Sequence, residues 1–176
     1  MRRLILLRHA KTETDAPSGK DRDRRLDERG RADAAGIGDW LLRHHLLPEQ
    51  VQVSTAVRAQ QTWEIVAATL AEALPKPAVS HLPELYVAGP QALLQAIRDA
   101  QDLPRLLVVG HNPGLHELAL AMICDGATAD RNALSRNLPT SGLAVIDFDC
   151  ADWADASFAR GRLAHFVSPK ILREAL

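Results

Sequence analysis

The sequence predicts a layered α/β domain with a mostly parallel central sheet flanked by helices. Three observations predict it. Leu4 to Leu7 and Leu106 to Val109 are continuous aliphatic runs without polar alternation, as expected of strands buried on both faces. Between such runs lie segments whose apolar residues recur at helical spacing. The runs end abruptly in polar residues, Arg8-His9 and Gly110-His111, and in open α/β sheets the ligand crevice lies outside the carboxyl ends of the strands.

Each element follows from local pattern. After the first strand, Thr12 to Arg25 is polar, contains Pro17-Ser18-Gly19, and reads as a mobile loop beside the strand end. Arg22, Arg24 and Arg25 are its candidates for touching a phosphorylated partner. Asp27 and Glu28 open a helix with Ala34, Ile37, Leu41 and Leu42 on one side, closed by Pro48. Val51 to Val53 is a short strand, breaking at Ser54-Thr55 before a helix marked by Ala59, Thr62, Val66 and Leu70. Pro75 and Pro77 end that helix, and His81 to Tyr86 reads as an irregular link to a third helix carrying Leu93, Leu94 and Ile97. The strand Leu106 to Val109 runs into the turn Gly110-His111-Asn112-Pro113-Gly114, then a helix with Leu115, Leu118, Ala119 and Met122 on one face. A polar connection from Asp125 to Gly142 leads to the strand Leu143 to Phe148. Arg162 to Val167 reads as a last, edge strand, and Pro169 begins a terminal helix.

With 176 residues the chain suits one domain, 1–176, around a single core. Its formal net charge of -1 argues against a nucleic-acid or anionic-membrane partner, so any positive site must be local. The few aliphatic residues before Arg8 fall short of a signal-peptide core, and no later run reaches membrane-spanning length, which leads us to expect a cytoplasmic chain. Cys124 and Cys150 lack C-x-x-C spacing and nearby paired histidines, which argues against a structural zinc site and is compatible with reduced thiols; no cofactor is expected.

If the strand ends are neighbours, they gather Arg8, His9, Arg58 and His111. Such a pocket suits a dianionic phosphoryl group. Guanidinium groups bind phosphate oxygens through planar charge-assisted hydrogen bonds and stay charged at any useful pH. Neutral imidazole is a nucleophile toward phosphorus, and the cations stabilise the charge of the transition state.

Four motifs in order, Arg8-His9-Ala10, Ser54-x-x-x-Arg58-Ala59-x-Gln61-Thr62, Glu84, and Gly110-His111-Asn112-Pro113-Gly114, resemble the histidine phosphatase superfamily. The likeness is greatest to its short, SixA-like phosphohistidine phosphatase group and spans almost the whole chain. It implies a phosphoglycerate mutase-like, three-layer α/β sandwich. It also implies that His9 is the nucleophile, that Arg8, Arg58 and His111 complete the phosphate pocket, and that Glu84 is the proton donor. Beside an anionic phosphate, the neutral form of a carboxyl group is favoured, which suits that last role. Ala10 stands where the superfamily commonly has glycine. The chain lacks the long insertions of larger relatives, so an open pocket is expected, one that admits a phosphorylated protein such as a phosphohistidine-bearing signalling domain. His44, His45, His81, His116 and His165 match no motif.

Other phosphatase chemistries fail on spacing. Counting from Cys124 reaches Asp130 where a cysteine phosphatase needs arginine, and Asp21-Arg22-Asp23 lies in a loop rather than after a buried strand. No Walker A sequence or Gly-x-Ser-x-Gly elbow occurs. Two alternatives to a protein phosphohistidine phosphatase stand. One is a phosphatase for a small phosphorylated metabolite, which shares the phosphoryl pocket. The other is a non-catalytic phosphate-docking module, which would need Arg8 and Arg58 but has no use for His9.

Overall fold

The computed structural model describes residues 1–73 and 75–175. In chain order the elements are β1 (Arg2–Arg8), α1 (Glu28–Arg43), β2 (Gln50–Ser54), α2 (Val57–Thr69), β3 (Ala78–Leu82), α3 (Pro90–Arg98), β4 (Arg105–Gly110), α4 (Gly114–Met122), β5 (Ile123–Gly126), α5 (Thr128–Arg136), β6 (Leu143–Phe148), β7 (Gly161–Val167) and α6 (Pro169–Glu174). Single helical turns occur at Asp21–Asp23, Pro83–Leu85 and Trp153–Asp155.

The strands form one sheet in the order β3-β2-β4-β1-β6-β7-β5, which places β1 at its centre. Most pairings are parallel, and β6 runs antiparallel to both β1 and β7. The aliphatic runs lack alternation because both faces are covered. Leu4, Leu6, Leu106, Val108, Ala144 and Ile146 pack against α3, α4 and α5, while Ile5, Leu7, Leu107, Val109, Leu143 and Val145 pack against α1, α2 and α6. Helix, sheet and helix thus form three layers. In β2 only Val51 and Val53 are apolar. Gln50 and Gln52 face the other way, where their amides donate to the carbonyls of Gln101 and Ala96 beside α3.

Caps set the helix starts. The Asp27 carboxylate accepts the backbone N–H of Gly30 at 2.7 Å, and Ser168 caps α6 through the N–H of Ile171 at 3.2 Å. Among the described residues, no helix is long and apolar enough to cross a membrane.

Five features differ from the sequence reading. The link before Tyr86 contains a strand, β3, missed because it is an edge strand exposed along nearly its whole length and carries no burial pattern. The polar connection from Asp125 to Gly142 holds part of β5 and the whole of α5, whose one fully buried residue, Leu134, is too little for a periodicity. β7 is not an edge strand, because β5 pairs beyond it. α1 stops at Arg43, before Pro48, with His45 in the left-handed region at φ 55°. The loop 12–25 is tied down by a bridge between Thr12 and Leu26 and by Glu13 N–H to the Arg25 carbonyl at 2.8 Å.

Candidate active site

The carboxyl ends of β1 and β4 lie side by side, because Arg8 is in register with Gly110 in a parallel pair. This brings His9 and His111 together, their rings 5.2 Å apart. Backbone bonds hold the two turns. His9 N–H donates to the Gly110 carbonyl at 3.1 Å, and Ser141 N–H lies 3.2 and 3.1 Å from the carbonyls of Arg8 and His9. The Asn112–Pro113 peptide is cis.

Helix α2 is fastened to the same turn by Thr62. Its hydroxyl accepts the Ala10 N–H at 2.9 Å and donates to the Arg58 carbonyl at 2.7 Å, so the residue after His9 and the start of α2 share one hydrogen-bonding group. The Ala10 methyl is buried with Leu26 and Ala34, which accounts for the tolerance of a side chain there. Gln61 accepts the Leu26 N–H at 2.9 Å, anchoring the end of the loop.

The protonation of His9 follows from its surroundings. Nδ1 lies 2.8 Å from the Ala10 carbonyl oxygen, which can only accept, so Nδ1 carries the proton and Nε2 keeps its lone pair. Burial pushes the ring pKa down to about 3, the Ala10 bond opposing and His111, Arg58 and Arg8 reinforcing the shift. His111 is lowered to about 4, by burial first and by Arg58 next. Both rings are therefore neutral at neutral pH.

Arg58 is buried at the start of α2, and Arg8 donates from Nη1 to the Leu138 carbonyl at 3.2 Å. Three nitrogens around the imidazoles are buried without a partner among the described residues: Nε of Arg8, Nε of Arg58 and Nδ1 of His111. Leaving buried donors unpaired costs about 1–3 kcal/mol each, an expense typical of ligand sites. Among the described residues no group of three or more His, Cys, Asp or Glu side chains is placed to hold a metal ion.

The pocket mouth is not open as the sequence reading expects. His9 and His111 are only 7% and 8% exposed. Arg58 donates to the Asp21 carbonyl at 2.9 Å and to its carboxylate at 3.1 Å, and the Tyr86 hydroxyl donates to the same carboxylate. Asp21 is held at about 2 by the Tyr86 hydrogen bond first, with Arg58 and Arg24 adding to it. The Tyr86 ring stands edge-on to His111 at 5.6 Å. Although the loop is short, it folds back because a buried guanidinium and a phenol meet one carboxylate.

Arg8, His9, Arg58 and His111 thus come together. Glu84 does not join them: it is exposed on the turn Pro83–Leu85 and lines a groove with Gln52, Ser80, Leu82 and Ala96, with no hydrogen bond or ion pair among the described residues. The loop arginines turn mostly to their own surroundings, Arg24 to Asp21, Arg25 to Glu13 and Arg22 to Thr55 and the Tyr86 ring. Asp21 and Tyr86 were not singled out from the sequence. Tyr86 is the chain's only tyrosine and sits two residues past Glu84, a signal that was available. One aspartate within a run of mixed charge carries no comparable signal.

A neutral imidazole with a free lone pair, flanked by the half-buried Arg8 at a strand end and the buried Arg58 at a helix start, defines a phosphoryl-transfer site. The comparisons agree with it. The model of the histidine phosphatase superfamily (branch 1) matches residues 4–89. An uncharacterized protein of Mycobacterium tuberculosis is 36% identical over 170 residues, covering 93% of this chain and 100% of its own. Two solved structures share the fold and the sequence pattern. A proposed phosphohistidine phosphatase SixA from Agrobacterium tumefaciens superposes with a TM-score of 0.79 at 33% identity, over 96% of this chain and 98% of its own. Another, from Nakamurella multipartitia, gives 0.81 at 28% identity, over 96% of each chain. The chain belongs to the histidine phosphatase superfamily, in its SixA-like group, and is a histidine-nucleophile phosphatase with the phosphoglycerate mutase-like fold.

Proposed function

We propose that this chain is a metal-independent protein phosphohistidine phosphatase in which His9 is the nucleophile. The observation that carries the reading is the tautomer of His9, whose Nδ1 bond to the Ala10 carbonyl at 2.8 Å leaves Nε2 unprotonated beside Arg8 and Arg58. Nε2 attacks phosphorus, and a P–N bond forms as the bond to the leaving group breaks. The leaving group departs with its electron pair and takes up a proton. Water then attacks phosphorus and returns a proton to the group that protonated the leaving group, the P–N bond to His9 breaks, and inorganic phosphate leaves with His9 restored.

Arg8 and Arg58 stabilise the equatorial oxygens in both steps, and His111 adds a hydrogen bond. The resemblance to the superfamily assigns proton delivery to Glu84, whose side chain must turn from the neighbouring groove toward the phosphoryl group to serve. Asp21 is nearer the guanidinium but is held as the carboxylate, so it has no proton to give. The likeness to the SixA proteins, at 33% identity for the Agrobacterium one, favours a phosphohistidine-bearing protein over a small phosphorylated metabolite. We assign residues 1–176 to one working unit and the enzyme to the cytoplasm, where Cys124 and Cys150 stay reduced.

The test compares phosphate release from a phosphohistidine-bearing protein and from small phosphomonoesters, with wild type and His9→Ala, trapping the phosphoenzyme in alkali. Expected are faster turnover of the protein substrate, an alkali-stable phosphoenzyme absent from His9→Ala, and no loss on chelation. Wild-type turnover by folded His9→Ala overturns the mechanism, and preference for a small ester moves the substrate. Glu84→Gln should slow esters more than phosphohistidine, because an alkoxide needs a proton to depart more than an imidazole does.

A further inference from the structure

Ser54, at the carboxyl end of β2, is fully buried, and its hydroxyl oxygen lies 2.7 Å from Nε2 of His111. The same oxygen lies 3.3 Å from the Ala56 N–H, which can only donate. Its own proton then needs an acceptor, since an unpaired buried hydroxyl is costly. Among the described residues the acceptor within reach is Nε2 of His111. A neutral imidazole that accepts at Nε2 carries its proton at Nδ1, and Nδ1 of His111 is buried with no partner among the described residues.

We propose that Ser54 is a positioning residue that fixes His111 as the Nδ1–H tautomer, making it a neutral hydrogen-bond donor to the phosphoryl group rather than an imidazolium. This rests on the placement of His111 in the phosphoryl pocket. The two imidazoles are thereby set in complementary roles by their partners. His9 donates its Nδ1–H in a hydrogen bond to a carbonyl and keeps Nε2 as nucleophile, while His111 accepts the Ser54 O–H hydrogen bond at Nε2 and offers Nδ1–H. Both rings share the Nδ1–H form, for opposite purposes.

The groups facing His111 leave this arrangement in place near neutrality. They are Arg8 from β1 and His9 just after it, Arg58 from α2, Tyr86 from the turn before α3, and Asp21 and Arg24 from the loop. Three of them, Arg8, Arg58 and Arg24, are cationic and discourage a second proton on the ring. Asp21, which favours one, is already bonded to Arg58, Arg24 and Tyr86.

The experiment reads the tautomer directly, by long-range proton–nitrogen correlation spectra of isotopically labelled protein near neutral pH. The His111 signals are identified by their loss in His111→Asn. Wild type should show a pyrrole-type Nδ1 and a pyridine-type Nε2. Ser54→Ala should move His111 toward the Nε2–H form and lower kcat about 10- to 100-fold with a smaller change in KM, and Ser54→Thr should restore both. An Nε2–H tautomer in wild type overturns the proposal, as does Ser54→Ala with the wild-type tautomer and kcat. If Ser54→Ala does not fold, the wild-type spectrum and Ser54→Thr decide. If the wild type hydrolyses none of the phosphorylated substrates, the functional reading fails on its own, and orthovanadate affinity replaces kcat as the measure of what Ser54 does.

Discussion

Two histidines of one composition become different reagents through one hydrogen bond each, the Ala10 carbonyl on His9 and the Ser54 hydroxyl on His111. Their burial also makes them acid-sensitive parts of the fold. Both rings have folded-state pKa values, about 3 and about 4, below the ordinary 6.5, so the unfolded chain binds more protons in acid. Stability contributed by their neutral forms is complete above that ordinary value and is lost as pH falls through it. Down to the His111 value both rings contribute, each adding up to about 1.4 kcal/mol per pH unit to the loss, and below it only His9 does. Urea unfolding from neutral pH to about pH 4.5 should therefore show a shallower loss in a His9→Asn, His111→Asn double variant than in wild type. An equal slope would mean that these rings are not held neutral.

At the scale of elements, the site is assembled from strand ends and one returning loop, and two glycines of α1 show what the assembly demands. A Cβ on Gly36 meets nothing within 4 Å, whereas one on Gly30 would lie 2.0 Å from the Lys11 carbonyl oxygen, just past the turn that carries His9. Gly36→Ala should stabilise by about 0.5–1 kcal/mol through helix propensity. Gly30→Ala should reverse that sign, costing about 1–3 kcal/mol and slowing turnover, because α1 must back away from residues 9–11. Thermal unfolding and kcat of the two variants test the contrast. The loop 12–25 adds its own element-level effect. A phosphoryl group bound by Arg58 must share it with the half-exposed carboxylate of Asp21. Asp21→Asn should tighten inorganic phosphate binding about two- to fivefold by calorimetry, and weaker binding would show that Asp21 orients Arg58 rather than competing for it.

Across the whole molecule, the central position of β1 makes the core and the site one structure: Leu4 to Leu7 are buried on both faces, and the next two residues are the proposed phosphate ligand and nucleophile. Leu6→Ala should cost about 2–5 kcal/mol in urea unfolding, and a loss well under 1 kcal/mol would contradict that placement. The α/β class, the strands at Leu4–Leu7, Leu106–Val109 and Leu143–Phe148, and the grouping of Arg8, His9, Arg58 and His111 were legible in the sequence. Burial on two faces writes itself as unbroken aliphatic runs, and function at strand ends writes itself as polar residues directly after them. β3 and α5 were not legible, because elements that bury little leave no periodicity. Nor were Asp21 over Arg58, Tyr86 against His111, or Ser54 on Nε2 of His111. Those contacts join residues far apart in the chain through side-chain direction and hydrogen-bond geometry, which no local pattern encodes. The sequence by itself determined which layers form and where phosphoryl chemistry sits; the tertiary structure alone decided which nitrogen of each histidine is free and what covers the pocket.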